Sequence, residues 1–526
     1  MRAKGPAPLP RNVCQVGRGA DMSNMALDPE LIPVIVGVGQ INDRPVDPQA
    51  GLDSFGLMAA ALRAADADAG GGWLTDLDSL AVVDQISFRK LNPIAPSLAA
   101  ALGASPRHIE QTPMASGDSP ILLLNEAANR IGAGEIRIAA IVGGEALRTA
   151  AQRAVQEQGT AVSAQNASRA ASTRKVANFR QRYGLTAPVD VYPLYENAGR
   201  AAYGQSLAQG QRESAEIWSR FSEVADANEG AWIHRPASID TIETPTVDNR
   251  PIAFPYTKLM VANSSVNQGA GFIVTSLGEA RRRDVAEDQI IYVGNGAAAH
   301  ECDDPLGRDR YDRSPSMDVS ILRTLDLNDV TVADIDLVEL YSCFPCVPKM
   351  ARRTLDWPIE KPATVFGGLT FGGGPIGNYM SHAVVSMVQR LREGGRLGLL
   401  FANGGFATHN HTIILGSKPI TAAQFPRNFN YQAEADAHRG DAPPTIETYA
   451  GLAAIETYTV LYKRCGTVKH GVIVARTTDG ARTLAKVPAE DGDTIALLID
   501  GQVEPVGKIG EIIAAANGDQ IWRLQN

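Results

Sequence analysis

At 526 residues with 44% hydrophobic side chains, the chain is too long for one core, since single cores stop growing at roughly 250–300 residues, and two or three domains are expected. Its formal charge of -9 leaves no basic stripe to follow a phosphate backbone, which excludes a nucleic-acid partner but leaves room for one anionic ligand at a local basic cluster. The five cysteines (Cys14, Cys302, Cys343, Cys346, Cys465) are too few and scattered for a disulfide scaffold, and no apolar run approaches the ~20 residues that span a bilayer, so a reducing cytoplasm is the expected compartment.

Residues 1–30 are punctuated by Pro and Gly without apolar periodicity and read as a disordered extension, with Met22 or Met25 as an alternative start. Beyond it, short apolar runs ending in Gly alternate with Ala- and Leu-rich stretches, the pattern of an α/β protein with buried parallel strands. Strands are predicted at 33–39, 79–84 and 136–143. Between the last two, residues 120–132 repeat apolar side chains at helical spacing and stop on Gly, which predicts a glycine-capped buried helix. An Arg- and Gln-rich stretch at about 150–255 then breaks the rhythm with helices such as 214–228 and little strand signal, so it reads as an inserted helical domain covering the core.

Strands resume at 269–277 and 290–295, followed by a strand, a helix and a strand at 335–344, 380–394 and 398–403. The halves 31–290 and 291–425 therefore share one order: a Gly-bearing turn, a buried helix, and an apolar strand ending in Gly143-Gly144 or Gly404-Gly405. That order predicts an internal duplication. After the Pro443-Pro444 linker, residues 445–526 turn to Thr, Val, Tyr and Ile with turn pairs at Asp479-Gly480, Asp500-Gly501 and Asn517-Gly518, so a small domain of short antiparallel strands is expected.

Six ordered motifs sharpen this. Met114-Ala-Ser-Gly117 precedes the first buried helix, Val142-Gly-Gly-Glu145 ends the next strand, and Ser264-Ser-Val-Asn-Gln-Gly-Ala270 opens a third. Glu339-Leu-Tyr-Ser-Cys-Phe344, the glycine-rich Gly367–Gly377, and Ala402-Asn-Gly-Gly405 follow in the second half. In this order they resemble the thiolases, the acetyl-CoA acetyltransferase family, over roughly 33–417. The resemblance implies a five-layered duplicated α/β core, an inserted loop domain that binds coenzyme A, and an acyl-CoA as substrate. The tail is similar to the extra C-terminal domain of bacterial thiolase-like proteins and implies a small, β-rich, OB-like fold.

The same resemblance exposes a loss. A thiolase carries its acyl group on a Cys thiolate, activates it with a His and moves the α-proton with a second Cys. At those places this chain has Met114, Gly374 and Ala402, and Tyr341 stands where the family has the Asn or His of the oxyanion hole. Ping-pong acyl transfer is therefore expected to be absent or very slow. The polar groups that remain are Tyr341, Cys343, His382, Asn403, His409 and His411. Thiolase-like steroid retro-aldolases also use Tyr in the segment matching Tyr341, where a phenol gives or takes a proton as a thioester enolate forms.

Each candidate has a structural alternative. Tyr341 is an acid/base group or a packed residue, and His382, alone on a helix, is an acid/base group or a core residue. His409 and His411 have one intervening residue and no third ligand, so no metal is expected. Cys343 and Cys346 read as buried thiols. Met114 reads as an apolar pocket filler beside the cofactor, and Gly374 and Gly404 either offer N–H groups to a thioester oxygen or permit tight packing. Ser264 is the expected coenzyme A contact, with Arg180, Arg182 and Arg200 as phosphate ligands or solvated charges. Three functions follow: altered acyl transfer or Claisen chemistry, retro-aldol cleavage of a β-hydroxyacyl-CoA, or acyl-CoA binding alone. A homo-oligomer or a small accessory protein is compatible with each.

Overall fold

The computed structural model describes residues 28–158, 178–516 and 518–524. The predicted extension and the turn residue Asn517 thus lie almost wholly outside the described residues. Its end, Pro29–Leu31, is a helical turn capped by Asp28, with Glu30 paired to Arg282.

The long apolar runs become strands buried on both faces, and shorter segments, among them the partly exposed strand at 108–111, join them. They are β1 (Pro33–Asn42), β2 (Ser79–Val82), β3 (His108–Gln111) and β4 (Ile138–Ala146), then β5 (Pro251–Ala253) and β6 (Tyr256–Thr257) of the insertion. β7 (Asn267–Ser276), β8 (Ile291–Val293), β9 (Ala297–His300), β10 (Leu337–Leu340), β11 (Leu397–Gly404) and β12 (His409–Gly416) follow. The two halves join in a single sheet of order β10-β11-β12-β8-β1-β7-β4-β2-β3, with β9 paired to β12.

The sheet is mixed, which corrects the expectation of parallel strands. β3 and β4 flank β2 in parallel and β10 runs parallel to β11, but β7 is antiparallel to both β1 and β4, and β12 to β11. Burial on both faces makes a strand apolar throughout whichever way its neighbours run, so composition carries no direction.

The helices are α1 (Ser54–Asp68), α2 (Ala95–Ala101), α3 (Ser119–Gly132), α4 (Leu147–Gln158), α5 (Phe179–Arg182), α6 (Pro188–Ala202), α7 (Leu207–Ala227) and α8 (Ile239–Glu243). α9 (Leu277–Arg282), α10 (Pro315–Leu327), α11 (Cys346–Leu355), α12 (Tyr379–Arg392), α13 (Gln432–Ala437) and α14 (Gly492–Ile499) complete the set. α3 and α12 pack on each other and touch strands of both halves, so they form the middle layer. α1 and α2 cover one outer face, and α10, packed on β9 and β12, covers the other. This is the five-layered duplicated α/β core.

The tail folds into a closed five-stranded barrel of β13 (Gly451–Tyr462), β14 (Val468–Thr477), β15 (Arg482–Pro488), β16 (Ile509–Ala514) and β17 (Gln520–Leu524). Tyr458, Ile473, Val487, Leu498, Ile512 and Trp522 fill it. Each such large side chain contributes ~1.5–3 kcal/mol when fully removed from water. The insertion is not purely helical as expected: its β5–β6 hairpin adds to the edge of β13 through Leu461 and Ala253.

Candidate active site at the junction of four turns

Four turns meet beside the two central helices. Met114–Gly117 leads into α3, Tyr341–Phe344 follows β10, Gly367–Gly377 precedes α12, and Asn403–Thr408 joins β11 to β12. Glycines let them interlock. A Cβ on Gly117 would strike the Asn403 carbonyl and the Tyr341 hydroxyl, one on Gly377 the Ser116 amide, and one on Gly404 the Ser116 hydroxyl and the Asp118 carboxylate. Gly374 sits beside the loop that bears Ser264, its N–H donating to the Asn263 carbonyl at 2.9 Å.

The junction therefore brings together Tyr341, Asn403, Gly404 and the motif around Met114, with Ser264 and Gly374 alongside. Met114 itself is 61% exposed, which corrects the expectation that it fills a pocket: the turn that carries it lies at the end of the edge strand β3 and faces solvent.

Two groups that the sequence did not single out belong to the junction. Ser116 Oγ donates to Asp118 Oδ1, and Asp118 is buried. Its signal was a carboxylate directly after the motif glycine. From the insertion, Tyr192 reaches in: its hydroxyl accepts from the Ala407 N–H at 2.8 Å and approaches the Gly405 carbonyl (3.1 Å) and Asn403 Oδ1 (3.3 Å). Its ring stacks on Phe344 at 4.5 Å.

Electrostatics set what these groups can do. Burial pushes the Tyr341 phenol well above its ordinary value, with Cys343 and Asp118 adding to the shift, so at neutral pH it is a protonated donor. Burial likewise pushes the Cys343 thiol up to about 12, which leaves almost no thiolate. Asn403 Nδ2 donates to Asn410 Oδ1 at 2.8 Å, so its amide is held in the site wall.

The histidines separate. His409 lies over Gly405, its ring 4.5 Å from that of His300, whose pKa is lowered by burial and then by His409. His382 is two rings removed from Tyr341, with Phe366 and Tyr379 between. Its Nδ1 meets Gln40 Oε1 at 2.9 Å, and burial lowers its pKa to about 3. Helical spacing turns it toward β1 rather than toward the junction, which corrects its expected acid/base place. His411 is packed between Asn125 and Phe429 and lowered to about 4 by burial. Among the described residues, no group of three or more His, Cys, Asp and Glu is placed to hold a metal ion.

The three arginines expected at phosphates are committed elsewhere. Arg200 forms a two-pronged pair with Glu504 of the barrel, Arg182 pairs with Glu447 of the linker, and Arg180 lies over Phe406 and near Asp304. Arg200 and Arg182 tie the insertion to the appended domain and the linker before it, while Arg180 ties it to the second half. Of these Arg200 is the most deeply buried guanidinium, and its charge demands such a carboxylate partner.

Comparison with known proteins agrees with this architecture. Residues 432–516 match the family model described as the thiolase-like protein type 1 additional C-terminal domain. A monomeric SCP2-thiolase-like protein type 1 from Mycobacterium smegmatis is 30% identical, covering 95% of this chain and 100% of that one, with a TM-score of 0.79. The human mitochondrial 3-ketoacyl-CoA thiolase in complex with CoA (16% identity, 74% and 99% covered, TM-score 0.56) and the Ltp2-ChsH2(DUF35) aldolase (17%, 73% and 97%, 0.55) share the fold. No curated protein sequence matches. The chain belongs to the thiolase superfamily, among its thiolase-like proteins with the type 1 additional C-terminal domain. Among the described residues no helix is long and apolar enough to cross a membrane.

Proposed function

We propose that this protein binds a CoA thioester and works on the adjacent C–C bond without a covalent acyl-enzyme, as a retro-aldol lyase on a β-hydroxyacyl-CoA. The observation that carries this is the content of the junction: a protonated Tyr341 phenol beside the Ser116–Asp118 pair, with Gly at 374, Ala at 402 and the buried Cys343 thiol held neutral. In such a step Asp118 takes the proton of the β-hydroxyl, and the Cα–Cβ pair passes to Cα as the thioester enolate. Tyr341 donates a hydrogen bond to the enolate oxygen. Return of the proton to Cα releases a shortened acyl-CoA and a carbonyl compound. Ser264, beside Gly374, is the proposed coenzyme A contact. That an aldolase has this fold is consistent with the reading but assigns nothing by itself.

A second reading, acyl-CoA binding without turnover, draws on the packing of the Tyr341 hydroxyl against Gly117. Native mass spectrometry with acetyl-CoA and a panel of longer acyl- and β-hydroxyacyl-CoAs separates the two. A noncovalent complex together with cleavage products that vanish in Tyr341→Phe supports the lyase, and a complex without products supports binding alone. A covalent acyl adduct would overturn both, and a folded protein that retains no CoA thioester would end the acyl-CoA reading. The same spectra report stoichiometry, and a monomer is expected.

A further inference from the structure

The turn after Asn403 is gripped from three directions. Tyr192 takes the Ala407 N–H, and Tyr195 Oη donates to the Phe406 carbonyl at 2.8 Å. Arg308 Nη2 donates to the carbonyls of both Phe406 (3.0 Å) and Ala407 (2.5 Å). The grip opposes backbone strain, since Ala407 is held at φ 58°, a conformation that side-chain-bearing residues adopt only where their surroundings over-determine it.

Arg308 is itself held in place. Arg482, on β15 of the barrel and fully buried, donates from Nη1 to the carbonyls of Leu306 (2.6 Å) and Arg308 (2.5 Å). Its Nε and Nη2 are fixed by Glu456 of β13 at 2.8 and 2.6 Å. A continuous buried strut thus runs from the barrel wall, through Arg482, the 306–308 backbone and Arg308, to the carbonyls of Phe406 and Ala407. From there the turn meets the first half: the Asn403 carbonyl and Gly404 abut Ser116, Gly117 and Asp118.

We propose that the appended barrel is a positioning element of the candidate site, with Arg482 and Arg308 as positioning residues that hold the 405–407 turn against the first-half motif. On this account the extra domain contributes no separate chemistry through the strut. It supplies rigidity to a turn whose strained backbone does not hold its shape unaided. The inference stands on ligand-free geometry and does not depend on the acyl-CoA reading.

Amide hydrogen exchange of the full chain, without ligand, tests it. In Arg482→Met, Glu456 keeps Arg476 as a partner, so no carboxylate is stranded in the barrel. Exchange at the Ala407 and Thr408 amides is expected to rise at least tenfold, while amides of β4 stay unchanged. Arg308→Met, which cuts the lower joint, is expected to give the same rise with the barrel amides undisturbed. This second variant keeps the test open if the first does not fold. Glu504→Gln, which weakens a different barrel contact, is the control and should leave 405–408 protected. If Arg482→Met loosens only barrel amides, or if Arg308→Met leaves Ala407 and Thr408 protected, the strut does not position the turn and the proposal falls.

Discussion

The turns Met114–Gly117 and Asn403–Thr408 face each other across the junction, and the chain treats them in opposite ways. The first opens on an exposed Met side chain, with the Met114 carbonyl accepting one 3.0 Å bond from the Thr112 hydroxyl. The second has the carbonyls of residues 405, 406 and 407 each met by a buried Tyr or Arg. By the thiolase resemblance a cysteine is expected at Met114 in the first turn and at Ala402 just before the second, yet only the second turn has a dense set of supports. The difference teaches that reactive groups and the scaffold that shapes a site are separable.

Three substitutions break or sharpen this contrast. The largest effect is expected where the turns touch: Gly117→Ala drives a methyl into a backbone carbonyl that cannot swing aside, and a loss of about 3 kcal/mol is expected in urea unfolding. A near-neutral result would mean that the two turns are not interlocked. Next, Tyr192→Phe leaves the buried Ala407 N–H without its acceptor, for a loss of about 2 kcal/mol, again read from the unfolding midpoint. If stability is unchanged, the Tyr192 hydroxyl does not support the second turn. The smallest effect is expected at Met114→Cys, within ~0.5 kcal/mol because the side chain is exposed. The new thiol should also stay unacylated in acetyl-CoA by intact mass, since Gly374 offers no imidazole to activate it. An acyl adduct there would show that another group does so.

Much of the fold was legible because it is written in local order. The runs that became β1, β4, β7 and β11 are apolar for long enough to reveal buried strands, and Gly132 marks the end of α3. What escaped depends on distant partners. β12 begins with the polar run His409-Asn-His411, so its sequence does not announce a strand, and the ladders with β11 and β9 supply the reason it forms one. The β5–β6 hairpin likewise owes its second edge to β13.

The candidate site divides the same way. Tyr341, Asn403 and Gly404 could be placed by motif order, while Asp118 and Tyr192 were missed: one has only its place directly after the motif glycine as a signal, and the other comes from an insertion with no motif. His382 was misplaced because a helix position fixes spacing but not which neighbour its face meets. The arginines of the insertion, read as candidate anion ligands, turned out to be partners of Glu447, Glu504 and the 304–308 segment, contacts that no single-segment reading reveals.

The joining of the β5–β6 hairpin to β13 also sets an order of events during synthesis. Chains emerge at ~5–20 residues per second, so Leu461 reaches its place beside Ala253 roughly 10–40 s after the hairpin has left the ribosome. Throughout that interval the face of α6 that β13 later covers is open to water, including Asn197 and the Leu194 carbonyl that bond Tyr458 and Thr457. The first half of the molecule is thus completed by its last, and a nascent chain stalled before residue 451 would present an uncapped hairpin edge to any chaperone or neighbouring chain within reach.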